Sequence, residues 1–286
     1  MADPVRAQST CGRLVHFAGD ASQGSLVCFH PAGGLAAVYR RLALHMPRKF
    51  GVFGVDAPVA SCSRYTIGAL TDGYAQLVRT ANLPHPLYLC GWSLGGDLAL
   101  GCASLLQGSR SYPASLILID SAMDYSKMPA FRSSAPDYAA WKWIFFANVI
   151  LGPSASTALL ETDQFKTADA DERIRLIYAT RSGLKSLPQI KIVEDNPLWQ
   201  FNMVTEVAES LCGYKSPSCD IKNVLYIGSV GTGKERIKYI LDTYSPSFFE
   251  TLLMDCSHEA IMLDTAKVKV VARAIASHLE MLEGPS

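Results

Sequence analysis

Short runs of apolar, β-branched and aromatic residues recur along the first 120 positions. Between them lie stretches in which apolar residues return every three or four places. The runs Leu14–Phe17, Leu26–Phe29, Val52–Val55, Leu87–Cys90 and Leu116–Ile119 predict strands. Ala36–Met46, Ile67–Ala81 and Leu94–Gln107 predict helices. Strands alternating with helices make a parallel sheet covered on both faces. The continuous apolar run in SLILID suits a strand buried on both sides.

Near Met123 the rhythm changes. Up to about Pro217 the pattern predicts only helices, at Tyr138–Val149, Asp171–Ser182 and Leu198–Leu211. Alternation then resumes with a strand at Val224–Ile227, a helix at Glu235–Tyr244, a strand at Phe248–Met254 and a closing helix near Ala266–Leu282. The expectation is one α/β domain over residues 1–286, with a core of 12–122 and 221–283 and an all-helical lid at 123–220. Trp141, Phe145, Phe146 and Trp199 fall in that lid, where they either line a substrate channel or pack the lid onto the body.

Composition narrows the function classes. Of 286 residues 49% are hydrophobic and 18% charged, enough apolar surface for a sizeable core and too much for a disordered chain. Lys+Arg and Asp+Glu both number 26, so neither a nucleic-acid footprint nor a polybasic membrane anchor is expected. The opening MADPVRAQST is polar and unlike a signal peptide. The longest apolar stretch, Trp141 to Gly152, is interrupted by Lys142 and Asn148 and falls short of the roughly 20 residues of a membrane span. Eight cysteines show no C-x-x-C pair and no histidine at metal-ligand spacing. Reduced thiols in a cytoplasmic protein without a metal are expected, with Cys212 and Cys219 the pair to examine for a bond.

The chemistry centres on Gly91-Trp92-Ser93-Leu94-Gly95, which follows the strand LYLC and opens a helix. Strand, G-x-S-x-G and helix together form a nucleophile elbow, with the serine on a strained turn above the sheet. The helix N-terminus adds amide donors where oxyanion charge develops. His-Pro-Ala-Gly-Gly at 30–34 follows the strand LVCF, where such folds place the second donor. Pro31 has no N–H, so the predicted oxyanion pair is the amides of Ala32 and Leu94. Gly33 and Trp92 border the predicted substrate channel. His30 suits a structural hydrogen bond better than a catalytic role.

A serine nucleophile needs a base and an orienting acid. Of six histidines, His258 alone lies in a loop between a late strand and the last helix, in the chain order this fold requires. Asp120 ends the strand after the nucleophile's helix; Glu235, after the strand VLYIGS, is the alternative acid, and spacing favours Asp120. Two near-motifs are set aside. Gly228–Glu235 almost spells a phosphate-binding loop, but Glu235 replaces the hydroxyl that binds Mg²⁺, so a flexible glycine loop at the site's rim is expected. Leu94-Gly-Gly-Asp97-Leu98 lacks the serine that carries phosphopantetheine.

From about Gly24 to Leu279, VCFHPAGGLAAVYRRLA, FGVFGVD, PLYLCGWSLGGDLALGCASLL, SLILIDS and SHEAIM resemble the thioesterase domains that end polyketide and nonribosomal peptide synthesis, of the α/β-hydrolase superfamily. The motifs look like the chain-terminating type more than the free-standing editing type. The resemblance implies an α/β-hydrolase fold and raises Asp120 above Glu235. It implies that Ser93, His258 and Asp120 release an acyl or peptidyl chain held as a phosphopantetheine thioester on a partner carrier protein. Release is by hydrolysis or cyclisation, with no cofactor of the enzyme's own. A monomer or weak dimer is expected. The competing expectations are an editing thioesterase, an esterase, lipase or acyltransferase acting on oxygen esters, and a silent binding module.

Overall fold

Seven apolar runs form seven strands, of which the five central ones are buried on both faces and the two edge strands only in part. The computed structural model describes residues 12–59, 64–121, 125, 137–180 and 196–284. The strands are β1 (Arg13–Ala18), β2 (Ser25–Phe29), β3 (Gly51–Asp56), β4 (Leu87–Trp92), β5 (Ser115–Ile119), β6 (Asn223–Ser229) and β7 (Phe248–Met254). They lie in one sheet in the order β1-β3-β2-β4-β5-β6-β7; β1 is antiparallel to β3 and every other pair is parallel.

Successive residues of a strand face opposite sides of a sheet, and here both sides are apolar. Val27, Leu89 and Leu118 join one core with Ile67–Thr80 (α2) and Leu94–Leu106 (α3). Leu26, Cys90 and Ile117 join the other, with Ala36–Ala43 and the last helix, Thr265–Glu283. The helix expected over Ala36–Met46 is shorter, a 3-10 turn at Ala36–Tyr39 running into Arg40–Ala43 (α1). Leu44 is 77% exposed, off the apolar stripe that would have continued the helix.

Between β5 and β6 the regular elements among the described residues are helices. They are α4 (Tyr138–Leu151), α5 (Pro153–Leu160), α6 (Asp163–Thr167), α7 (Ala170–Thr180) and α8 (Pro197–Leu211). The expected boundary at Met123 and the end of the Asp171–Ser182 helix lie outside the described residues. Glu209 of α8 fastens this group to the body. It pairs with Arg64 at 2.8 Å and Lys142 at 2.9 Å and accepts from the Tyr138 hydroxyl. Glu206 accepts from the Tyr65 amide and Ser210 from the Ile67 amide, tying α8 to the start of α2.

The glycine stretch after β6 is not a loop. Helix α9 (Val230–Tyr244) begins directly at the end of β6, with Ser229 as its N-cap. Gly233 lies against Leu253 of β7, where a Cβ would come within 2.4 Å of Cδ2, so close packing outweighs glycine's poor helix propensity. After β7 come α10 (Ala260–Leu263) and α11 (Thr265–Glu283). Among the described residues no helix is long and apolar enough to cross a membrane. The described cysteines, Cys212 and Cys219 included, are free thiols.

A buried serine–histidine–acid chain lies at the amino end of the sheet. Ser115 opens β5, and its hydroxyl meets His278 Nε2 at 2.8 Å and the Asn223 carbonyl at 3.0 Å, while His278 Nδ1 meets Glu250. Ser115 and His278 are 0% and 1% exposed, so no substrate reaches the hydroxyl. Burial lowers the histidine's pKa despite the Glu250 bond. This chain is a structural tie between β5, β6, β7 and α11. Ser115→Ala is expected to lower unfolding free energy by about 1–3 kcal/mol, the cost of leaving a buried polar partner unpaired. Denaturant unfolding reads that loss, and turnover per folded molecule is expected to be unchanged.

Candidate active site

Parallel pairing lines up the carboxyl ends of the strands, where ligand sites of open α/β sheets gather. Phe29 pairs with Gly91, Trp92 with Ile119, Ile119 with Ile227 and Ser229 with Met254. The residues immediately beyond these ends are therefore neighbours: the 30–34 loop, Ser93, Asp120, the start of α9 and the loop carrying His258.

Ser93 is a positive-φ residue (φ 56°, ψ −130°) between β4 and α3. A side chain in that region is strained, and such strain collects at functional turns. The two flanking glycines make the turn possible. A Cβ on Gly91 would lie 1.9 Å from the Gly95 carbonyl carbon, and one on Gly95 would lie 2.3 Å from the Phe29 oxygen. Leu94 is the first residue of α3, so its N–H has no intrahelical acceptor.

Across the elbow, the Tyr39 hydroxyl accepts from the Trp92 amide at 2.6 Å and donates to the Phe29 carbonyl at 2.8 Å. This bridges the ends of β2 and β4. Ala32 and Gly33 remain partly exposed. The loop is held from above by Gln200 of α8, whose Nε2 donates to the Gly33 carbonyl at 2.5 Å. His30 is fully buried between the Pro31 carbonyl and the Tyr74 hydroxyl, and burial pushes its pKa down to about 4. It is a neutral structural residue.

Asp120 follows β5 in a second positive-φ conformation, φ 43°. Its Oδ2 accepts from His258 Nδ1 at 2.6 Å. That bond fixes the Nδ1–H tautomer and leaves Nε2 as the imidazole's free base. Oδ1 faces donors of β6 and α9. Arg236 is at 2.6 Å, the Thr232 hydroxyl at 3.3 Å, and the Tyr226 hydroxyl and the Ser229 amide both at 3.4 Å. Burial acts to raise the Asp120 pKa, but the His258 bond and the charges of Arg236 and His258 outweigh it and hold the carboxyl below its ordinary value. His258 stacks on Trp92, ring centroids 5.2 Å apart and planes 27° from parallel.

Ser93, Asp120 and His258 line one cavity of about 160 Å³, together with Ser121, Tyr125 and Arg236. The alternative acid Glu235 is exposed. Behind the cavity, burial pushes Asp97 of α3 up to about 7 against its Tyr125 hydrogen bond. Among the described residues no cluster of histidine, cysteine and carboxylate side chains forms a metal site.

The aromatic residues divide. Phe146 is fully buried against Tyr178 and Phe201, so it belongs to the core and not to a channel. Trp199, 8% exposed, donates Nε1–H to the Pro58 carbonyl at 2.8 Å and ties α8 to the body. Trp141 stacks between Tyr138 and Phe145 on a partly exposed face of α4. Arg236 and Gln200 were not legible as site residues. Each sits on a helix whose docking against the site is set by tertiary packing.

Residues 25–171 match the family described as Thioesterase domain, about half of the chain, and the protein belongs to that family. It is 27% identical over 282 residues to the dimodular nonribosomal peptide synthase of Bacillus subtilis (strain 168), covering 96% of this chain and 11% of that protein. It is 33% identical over 99 residues to enterobactin synthase component F of Escherichia coli (strain K12), covering 34% of this chain and 8% of that protein. The chain thus spans about a tenth of the length of these relatives. Among solved structures it resembles the NocB thioesterase domain in covalent complex with a fluorophosphonate nocardicin G analog. There the TM-score is 0.61 and the identity 20%, over 93% of this chain and 99% of that one. It also resembles the RedJ thioesterase of Streptomyces coelicolor, TM-score 0.60 and 18% identity, over 96% of both chains. These likenesses show an α/β-hydrolase fold.

Proposed function

We propose that this chain is a chain-releasing thioesterase, in which Ser93 attacks an acyl or peptidyl thioester presented on the phosphopantetheine of a carrier-protein domain. The observation carrying this reading is the Asp120–His258 pair in the same cavity as the strained Ser93. His258 Nε2 takes the Ser93 hydroxyl proton as Oγ bonds to the thioester carbonyl carbon. Asp120 stabilises the imidazolium through Oδ2, and the Ala32 and Leu94 amides receive the oxyanion, each worth roughly 3 kcal/mol in the transition state. Collapse of the tetrahedral adduct breaks the C–S bond, and His258 returns the proton to the departing thiol. Water, or a hydroxyl or amine of the chain itself, then attacks the acyl-Ser93 ester with His258 as base, and collapse breaks the acyl–Oγ bond as His258 returns the proton to Ser93. The proposed steps use side chains and backbone amides of the protein together with substrate and water, and call on no cofactor of the enzyme's own.

The helices of 137–180 and 196–211 act as the lid of this site, with Gln200 and Trp199 linking it to the oxyanion loop and body. Trp141 and Phe145, on the partly exposed face of α4, are the lid aromatics that would meet a substrate.

Matched substrates test the reaction class. With one acyl group offered as a pantetheine thioester and as an oxygen ester, kcat/KM is expected to favour the thioester by at least about tenfold, or 1.4 kcal/mol. Equal or reversed preference would place the chain with the esterases.

A further inference from the structure

We propose that Arg236 is a positioning residue of the release reaction, holding the Oδ1 edge of Asp120 so that Oδ2 alone serves His258 and offsetting part of the carboxylate's charge. The inference rests on the triad reading above and goes beyond it, because a serine triad needs no cation on its acid.

The geometry supports it from both ends. Arg236 Nη1 lies 2.6 Å from Oδ1, and the two side chains are 12% and 1% exposed, so water screens the pair weakly. Arg236 also lines the cavity that contains Ser93. The remaining donors to Oδ1, from Thr232, Tyr226 and Ser229, are neutral and longer, at 3.3–3.4 Å. Asp120 thus stands between two cationic partners once His258 is protonated. A carboxylate in a positive-φ conformation has no regular backbone to fix its rotamer. The planar guanidinium supplies that constraint.

The consequence for His258 is electrostatic. The other ionisable groups nearby are Asp97 on α3, Tyr125 beyond β5, Tyr226 on β6, and Cys256 on the histidine's own loop. Asp255, Asp264 and Lys267 act on that cysteine, while Glu235 of α9 is exposed. Arg236 is the cation in direct contact with the acid. Removing it leaves Asp120 more negative towards His258, so the imidazolium is favoured and the base titrates at higher pH.

The test is the acid limb of the kcat/KM pH profile. In Arg236→Gln it is expected to move up by about one pH unit, and Arg236→Lys, which keeps the charge, is expected to bring it back towards wild type. Arg236→Met reads the same shift with an apolar side chain of similar length if the glutamine variant does not fold. Imidazole titration of His258 by NMR in the Ser93→Ala background repeats the measurement without turnover. An unmoved limb in the uncharged variants, with any loss confined to kcat or thermal stability, would make Arg236 merely structural and overturn the proposal. Fluorophosphonate labelling of the wild type separates the two levels. If Ser93 is labelled and the limb does not move, only the role of Arg236 fails. If Ser93 is not labelled, the triad reading fails and this inference falls with it.

Discussion

Asp120→Asn is expected to lower kcat about 10⁴-fold while KM changes little. The asparagine can turn either its oxygen or its N–H towards His258. Arg236 claims the oxygen, because a cation 2.6 Å from Oδ1 pairs with an acceptor and not with an amide hydrogen. The amide nitrogen then faces His258 Nδ1 and imposes the tautomer with the proton on Nε2, where it is useless as a base. The same change removes the counter-charge of a side chain only 12% exposed. Breaking a buried ion pair on one side costs about 3–5 kcal/mol, so thermal stability falls as well. Turnover normalised to folded protein separates the two losses. A kcat within tenfold of wild type would remove Asp120 from the reaction.

The second large effect is expected from a single methyl group at Gly95. Its Cβ would stand 2.3 Å from the Phe29 carbonyl oxygen and 3.1 Å from that of His30. Both are backbone atoms at the root of the oxyanion loop and cannot rotate away as a side-chain end would. To reach ordinary contact the Phe29 carbonyl must retreat by roughly 1 Å, and the Ala32 amide moves with it. Displacements of that size at a catalytic site cost about 10²-fold in rate. The overpacking costs about 1–3 kcal/mol in stability. For Gly95→Ala we expect kcat to fall about 10²-fold with the melting temperature lowered. Unchanged kcat would show that the loop is not held at this contact.

The strands were readable because each is a short apolar run, continuous enough in the five central ones to be buried on both faces. β4 and β6 run two residues further than expected, since Gly91 with Trp92 and Gly228 with Ser229 continue their ladders despite the weak strand propensity of glycine. Glycines misled in the other direction after β6. Gly231 and Gly233 read as a loop, but both lie in α9, where Gly233 packs against Leu253 of β7. That error hid Arg236, because only a helix starting at Val230 carries residue 236 back over the end of β5. Phe146 shows the limit of composition. An aromatic residue on an amphipathic helix has the same sequence signature in a core as in a channel, and only its neighbours Tyr178 and Phe201 place it. Ser93 and Asp120 directly follow β4 and β5 and His258 lies in the loop after β7, so chain position alone places all three at one edge of the sheet.

Among the described residues Ser93 shares a cavity with the His258–Asp120 pair and Ser115 bonds the His278–Glu250 pair, and the proposed function depends on which serine reacts. Ser93 borders the cavity on a strained turn, whereas Ser115 is buried at the opposite end of the sheet. Incubation with an acyl-pantetheine thioester or a fluorophosphonate, followed by peptide mapping by mass spectrometry, reads the reacting residue directly. The account predicts one adduct, on Ser93, absent from Ser93→Ala and retained in Ser115→Ala. An adduct on Ser115, or continued acylation of Ser93→Ala, would contradict it.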